Sequence, residues 1–348
     1  MISMKDIPLI LYGAGVIGCR IANFLLDKEG IKIVGVVDIA KDKVGKDLGE
    51  ILGIEKRIGV SVTDDADTLF SKVKADIVVH TTTSYLKDTY PQIAGCIKAG
   101  LNVVSTCESL SWPYLTEPDL AKKLDDLAKE HGVSILGTGI NPGYLMDTLP
   151  ITLSGACQEV RKIEVTRMMD SGKRRIPFQK KIGTGLSPEE FRKRIDEGII
   201  TGHVGLVESI AMVAAALAWE LDEIKELPPE AVIAEEEITT PYTTVKPGNA
   251  AGLKSVAYGA KGGEKLITLN FIANAAVKEE YDSVTIDGVP PINEKIIGGV
   301  HGDYGTIAVT TNMIPKVINA PPGLYTMKDL PVPSGTPEHM AKYIKGKD

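Results

Sequence analysis

The hexapeptide Gly13-Ala14-Gly15-Val16-Ile17-Gly18 constrains this chain more than any other feature, because of what flanks it. Before it runs a short apolar stretch, Pro8 to Tyr12, that reads as a strand. After it, Val16 to Leu26 carries Ile17, Ile21, Phe24 and Leu25 at helical spacing, and Gly30 ends the helix. Ile31 to Val37 is then a second apolar run that closes on Asp38. Glycine at the first position allows a tight turn, at the second a close approach of backbone to a pyrophosphate, and at the third close packing of helix on sheet. Free N–H groups at the helix start favour phosphate. Asp38 is placed to bond the adenosine ribose hydroxyls. That favours NAD, since a 2′-phosphate would be repelled; Lys41 and Lys43 nearby keep NADP possible.

The alternation continues. Ala75 to His80 and Asn102 to Ser105 read as strands around a helix from Asp88 to Ala99. Glu117 to His131 reads as a helix stopped by Gly132, before a strand at Val133 to Leu136. Apolar runs without alternation suit strands covered on both faces, so the expected fold is α/β, a doubly wound parallel Rossmann sheet. The Gly- and Pro-rich segment 137–150 reads as the crossing into a second domain. There Val160 to Met168 alternates, Lys173 to Lys181 is basic, and Ser187 opens a charged helix to Glu197 with an N-cap signal. Gly205 to Trp219 reads as a buried helix. Ala231 to Val245, Lys254 to Gly259, Leu266 to Ala275 and Ser283 to Ile286 are β-rich, which predicts an α+β domain on an open mixed sheet. Tyr304 to Ile318 reads as a helix folding back on the first domain, followed by a Pro-rich tail. The expected domains are 1–150 for the dinucleotide, 151–303 for substrate, and 304–348 packing back.

The chain has 348 residues and a net charge of -7, which disfavours nucleic acid as a partner. Its four cysteines, Cys19, Cys96, Cys107 and Cys157, form no CxxC pair, and no cleavable leader is apparent. The longest apolar run, Ile210 to Trp219, is too short to span a bilayer. The reading is cytoplasmic, without membrane association. His80, His131, His301 and His339 share no ligand spacing, so no metal is expected.

Chemistry is expected at the carboxyl ends of the parallel strands. Thr81, Thr82, Thr83 and Ser84 follow one strand and suit the nicotinamide ribose. Ser105-Thr106-Cys107-Glu108-Ser109 follows another. Glu108 is a candidate general base and Cys107 a candidate nucleophile; neighbouring residues point different ways, so one of the two, or neither, faces the site. At the crossing, Asn141 is a candidate for the nicotinamide and Tyr144 for the pocket wall. In the second domain, Arg167 within the basic stretch 161–181 is a candidate carboxylate ligand, and His203, flanked by Gly202 and Gly205, a candidate substrate contact. Three readings stay open on residues alone: a dehydrogenase using Glu108 as general base, an aldehyde dehydrogenase using Cys107, and an NADH-sensing protein.

Taken together, GAGVIG, the Asp38 strand end, the Thr81–Ser84 loop, STCES at 105–109 and GINPGY at 139–144 resemble the dihydrodipicolinate-reductase-like dehydrogenases. The His-His-x-x-Lys and Lys-x-x-x-Pro-Ser-Gly-Thr segments of the reductases themselves are missing from the second domain. The chain is more similar to the 2,4-diaminopentanoate dehydrogenases and related native amine dehydrogenases. The resemblance implies oxidation of an amine-bearing carbon with hydride passing to NAD(P)+, and release of ammonia from the imine by water. It places the family's acid-base glutamate on Glu108, and it implies a homodimer formed through the second-domain sheet.

Overall fold

The computed structural model describes residues 5–275 and 277–346. The chain forms two compact units. One runs through Tyr144 and resumes at Gly302; the other is Leu145–His301.

The first unit is built on a parallel sheet. Its strands are β1 (Ile7–Tyr12), β2 (Ile31–Val37), β3 (Val62–Thr63), β4 (Ile77–His80), β5 (Asn102–Ser105) and β6 (Ser134–Gly137). A seventh among the described residues, Gly323–Tyr325, comes from the C-terminal segment and pairs parallel with β6. The spatial order is Gly323–Tyr325, β6, β5, β4, β1, β2, β3. The chain thus winds one way from β1 to β3 and the other way from β4 to β6. The reversal falls between β1 and β4, the place where open α/β sheets bind ligands. Leu9, Val78, Val103 and Ile135 have no exposed surface. Helices cover both faces of such a sheet, which is why IVVH and NVVS are apolar without alternation. The helix Gly302–Ile318 packs on β5 and on the helix Val16–Leu26, where Asp303 pairs with Arg20.

The second unit carries a mixed sheet. Its strands are β7 (Glu159–Asp170), β8 (Glu223–Glu226), β9 (Glu230–Ile233), β12 (Ala250–Lys261), β13 (Glu264–Asn274), β14 (Tyr281–Val289) and β15 (Ile292–Ile297). Two short strands, β10 (Ile238–Thr239) and β11 (Thr244–Val245), pair apart from it. The order is β15-β14-β7-β13-β12-β8, with β9 also on β12. β7 and β13 run parallel; the other pairs are antiparallel. Alternation along β7 buries Ile163, Val165 and Arg167 on one face. The apolar helix Leu206–Ala216 packs on β12, β13 and β8. Among the described residues no helix is long and apolar enough to cross a membrane.

Several elements depart from the sequence expectation. β7 and β12 extend beyond the stretches read as strand, because ladder pairing continues past them at both ends. The stretch Ala231 to Val245 resolves into three short strands. The basic stretch holds a 3-10 turn, Ser171–Lys173, and a short helix, Ile176–Lys181. The helices Leu48–Leu52 and Ala66–Lys72 and the strand β15 had no reading. Short elements carry too few apolar positions to set a period. Caps fix the helices instead, as where Asp47 accepts from Gly49 N at 2.9 Å and from Ile58 N at 2.8 Å, and β15 is held by its pairing with β14. The Ser187 cap is as read, accepting from Glu190 N at 3.2 Å.

Candidate active site

The turn after β1 has the geometry the glycine spacing requires. Gly13 adopts φ +101, and a side chain there would lie 2.5 Å from the Thr81 carbonyl. A Cβ on Gly18 would lie 2.0 Å from the Gly13 carbonyl. Both positions are closed to other residues by backbone. Gly15 differs, since a Cβ there meets nothing within 4 Å. The protein leaves open space at that position. The exposed Val16 and the half-buried Ile17 continue this open edge into the helix. Asp38 Oδ2 accepts from Ala14 N at 2.7 Å and Oδ1 from Ala40 N at 2.8 Å, which ties the end of β2 to the turn. Lys43 Nζ donates to the Ala14 carbonyl at 2.9 Å and stands 3.6 Å from Asp38 Oδ2.

A pocket of about 360 Å³ opens beside this turn. Gly15, Val16 and Ile17 form one side. Thr81 to Ser84 after β4, Thr106 and Glu108 after β5, and Thr138 to Pro142 after β6 form the rest, with Thr306 from the returning helix. Of the residues singled out in the first unit, the pocket therefore gathers Gly15, Val16 and Ile17 of the turn, the threonines, Glu108 and Asn141; Gly13, Ala14, Gly18 and Asp38 are not among its lining residues. Tyr144 is not among its lining residues. Thr106, Thr138 and Thr306 went unread. Thr306 lies far along the chain, and the only signal was that its helix was expected to fold back; its hydroxyl accepts from Ile140 N at 3.3 Å.

Thr81 and Thr82 are engaged by the protein itself. Thr81 Oγ1 donates to the Gly13 carbonyl at 2.8 Å, so it fastens the turn. Thr82 Oγ1 donates to Gln92 Oε1 at 2.8 Å. His80 sits beneath, fully buried, with Nε2 2.8 Å from the same Gln92 oxygen and Nδ1 2.9 Å from Ser105 Oγ. Ser105 Oγ in turn accepts from Cys107 N at 3.1 Å. His80 thus joins the loop after β4 to the loop that carries Glu108. Desolvation by burial pushes its pKa down to about 4, the Gln92 bond opposing only in part, so the ring is neutral.

The unfolded imidazole binds its proton near pH 6.5 and the folded one near 4, so acidification through that window favours the unfolded chain. His80 alone should remove up to about 1.4 kcal/mol for each pH unit within it. Urea midpoints of the parent should fall more steeply between pH 6.5 and 4.5 than those of His80→Gln. Equal slopes would remove His80 as the cause.

Glu108 and Cys107 separate clearly. Glu108 is half-buried at the start of the turn Glu108–Ser111 and lines the pocket. Cys107 is 1% exposed and lies off the pocket lining. Its Sγ lies 3.3 Å from the Ser84 carbonyl and 3.5 Å from Thr89 Oγ1, and burial pushes its pKa up. A nucleophile must be a thiolate that reaches substrate; this thiol is a small core group.

The pocket fits a nicotinamide dinucleotide. Gly15 and the start of the eleven-residue helix Val16–Leu26 leave room and donors for a pyrophosphate. Deeper in, both polar atoms of the Asn141 amide and the Thr138 hydroxyl are buried without hydrogen-bond partners. Orphaned groups of this kind await a polar ligand.

In the second unit, Arg167 is buried on β7 beside Phe271 of β13, its register partner. His203 packs edge-on against that Phe271 ring at 4.2 Å and has Nδ1 2.7 Å from the Val204 carbonyl. Burial holds His203 neutral, at a pKa of about 4, and the Arg167 charge adds to that effect. The two residues singled out as substrate contacts are therefore neighbours.

A parallel sheet with its switch point at a glycine turn, and a carboxylate on the adjoining pocket, defines an NAD(P)-dependent dehydrogenase. The comparisons narrow the class. Residues 7–138 match the model for the dihydrodipicolinate reductase N-terminus, and residues 144–346 that for the 2,4-diaminopentanoate dehydrogenase C-terminal domain. The 2,4-diaminopentanoate dehydrogenase of Acetoanaerobium sticklandii is 38% identical over 336 residues, 95% of each chain. The amine dehydrogenase of Streptomyces virginiae is 22% identical over 94% of this chain and 96% of its own. The solved amine dehydrogenase of Mycobacterium smegmatis superposes with a TM-score of 0.80 at 26% identity, covering 96% of this chain and 98% of that one. The chain belongs to the 2,4-diaminopentanoate dehydrogenase family, and its activity is NAD(P)-dependent oxidative deamination.

Proposed function

We propose that the substrate is 2,4-diaminopentanoate, converted reversibly to 2-amino-4-oxopentanoate and ammonia with Glu108 as the acid-base residue. The observation that carries this reading is Glu108 on the wall of the pocket that begins at Gly15. The name of the 38% identical relative supports the substrate. When bound, the coenzyme supplies the hydride acceptor. The Glu108 carboxylate takes a proton from the substrate ammonium, leaving an amine whose carbon can release hydride and become an iminium. Water then adds, Glu108 shuttles its proton to nitrogen, and ammonia leaves. The balance is ammonium substrate, NAD(P)+ and water on one side, and ketone, ammonium, NAD(P)H and a proton on the other.

Asn141, with its orphaned amide, and Thr83 are the groups we assign to the nicotinamide end; Thr81 and Thr82 hold the turn and loop around it. Tyr144 and His203 remain our candidates for substrate contacts. A cytoplasmic homodimer that uses no nucleic acid belongs to the same reading. The experiment is absorbance at 340 nm with NAD+ and a panel of 2,4-diaminopentanoate, 2-aminoalkanes, α-amino acids and aldehydes. Reduction with 2,4-diaminopentanoate and matching ammonia release is expected; turnover of aldehydes alone would overturn the proposal.

Coenzyme choice gives a second test. The Asp38 carboxylate at the ribose end favours NAD, and Lys43 beside it lessens the repulsion of a 2′-phosphate. Asp38→Ser keeps an acceptor near Ala14 and Ala40 while removing the charge. The ratio of kcat/KM for NADP to that for NAD should rise roughly tenfold or more, about 1.4 kcal/mol. An unchanged ratio would free Asp38 of this role.

A further inference from the structure

The structure assigns a positioning role to Gln92, which acts through His80 and Ser105 on the turn that carries Glu108. Gln92 lies on the helix Leu86–Lys98, half-buried and outside the lining of the coenzyme pocket. Any effect it has on the reaction must pass through other residues, and the inference rests on the reading of Glu108 as the acid-base residue. Gln92 Oε1 meets two groups, His80 Nε2 and Thr82 Oγ1, both at 2.8 Å. On the other side of the ring, His80 Nδ1 lies 2.9 Å from Ser105 Oγ.

The direction of these bonds follows from the far end. Ser105 Oγ accepts from Cys107 N at 3.1 Å, and a backbone N–H can only donate. The Ser105 hydroxyl hydrogen then has one acceptor among the described residues, His80 Nδ1. A neutral ring that accepts at Nδ1 carries its proton on Nε2. That proton needs an acceptor in turn, and the Gln92 carbonyl oxygen provides it. With the proton on Nδ1 instead, the Ser105 oxygen would face two donors while its own hydrogen stayed buried without a partner, which folded chains avoid. The direction matters because Cys107 caps the turn Glu108–Ser111. The turn is held on both sides of Glu108, before it by Ser105 Oγ and after it by Ser109 N, which donates to the Ser84 carbonyl at 3.0 Å. Ser109 Oγ accepts from Leu86 N at 2.6 Å, at the start of the helix that holds Gln92. One helix thus anchors both sides. Without the Gln92 oxygen the ring can take the other tautomer, the Ser105 hydroxyl loses its acceptor, and its hold on Cys107 N relaxes. An acid-base group works only within hydrogen-bond reach of the proton it moves, so a small displacement of Glu108 slows turnover without changing what binds.

The test compares Gln92→Met, which keeps the length of the side chain and removes the acceptor, with Gln92→Glu, which keeps the acceptor. With NAD+ and 2,4-diaminopentanoate, Gln92→Met should lose roughly tenfold in kcat, with KM and NADH affinity near those of the parent. Gln92→Glu should recover most of the loss. Ser105→Ala should fall by a similar factor, and the double variant by no more than either single one, since both cut the same chain of bonds. A merely structural role would lower Tm and leave the kcat of the folded enzyme alone. ¹⁵N NMR of the histidine rings, with His80 assigned by its loss in His80→Gln, should place the proton on Nε2 in the parent and move it towards Nδ1 in Gln92→Met. Parent-like kcat in Gln92→Met, additive losses in the double variant, or a proton on Nδ1 in the parent would each overturn the assignment. Failure of the acid-base reading shows separately, as parent-like turnover in Glu108→Gln, and the ring spectra still decide the tautomer that Gln92 sets.

Discussion

Glu108→Gln should lower kcat for amine oxidation roughly a hundredfold or more, the usual scale for a positioned acid-base group, while leaving the affinity for NADH close to that of the parent. The substitution keeps the shape of the side chain and its place on the turn Glu108–Ser111, so the pocket wall is preserved. What disappears is the ability to hold and return a proton. The loss should appear equally in kcat and in kcat/KM, as expected for a group whose interaction matters in the transition state. NADH binding, read by fluorescence, reports the glycine turn and not this carboxylate. Cys107→Ser serves as the counterpart. A thiol this deeply packed, 1% exposed and bonded toward Ser84, should be replaceable with kcat within a few-fold. Near-parent turnover in Glu108→Gln, or collapse of turnover in Cys107→Ser with its fold intact, would reverse the assignment.

These two residues also mark how far the sequence alone reaches. Glu108 and Cys107 are adjacent, and both follow a strand that ends at the ligand edge of the sheet. Composition and spacing leave either free to be the reacting group. The choice is made by the turn after β5, where the Ser105 hydroxyl takes the Cys107 N–H and the thiol swings under the Ser84 carbonyl. That geometry depends on His80, contributed by another strand. The first strand, turn and helix were legible because consecutive residues form them and the three glycines stand at fixed spacing between them. Thr306 was not legible as a pocket residue, since its position depends on packing of the helix Gly302–Ile318 against β5 and the helix Val16–Leu26. Arg167 was legible as a cation of interest but not as a buried one. The alternation of β7 places it on the apolar face with Ile163 and Val165, which a count of charges in a basic stretch does not reveal.

The glycines of the turn should separate binding from folding when each is replaced by valine. At Gly15 the backbone has φ -71, an ordinary value for any residue, and the position of a Cβ is free of neighbours within 4 Å. Gly15→Val should therefore fold with a Tm near that of the parent. Its side chain fills the space a pyrophosphate needs and holds the ligand away from the N–H groups at the start of the helix. Hydrogen bonds to a charged group contribute about 1.5–3 kcal/mol each. Weakening one or two of them corresponds to a loss of roughly a hundredfold in NADH affinity. At Gly18 the outcome inverts, because the nearest atom to a Cβ is the Gly13 carbonyl oxygen at 2.0 Å, and backbone cannot step aside as a side-chain tip can. Gly18→Val must push the helix from the turn, and the Gly13 carbonyl is itself held by Thr81 Oγ1. The larger effect there should be on Tm, with coenzyme binding lost as a consequence. Calorimetry of the two apo variants, followed by NADH titration, distinguishes them. If Gly15→Val bound NADH as tightly as the parent, the dinucleotide would not cross the turn at Gly15, and the pocket beside Glu108 would lose its claim to the nicotinamide.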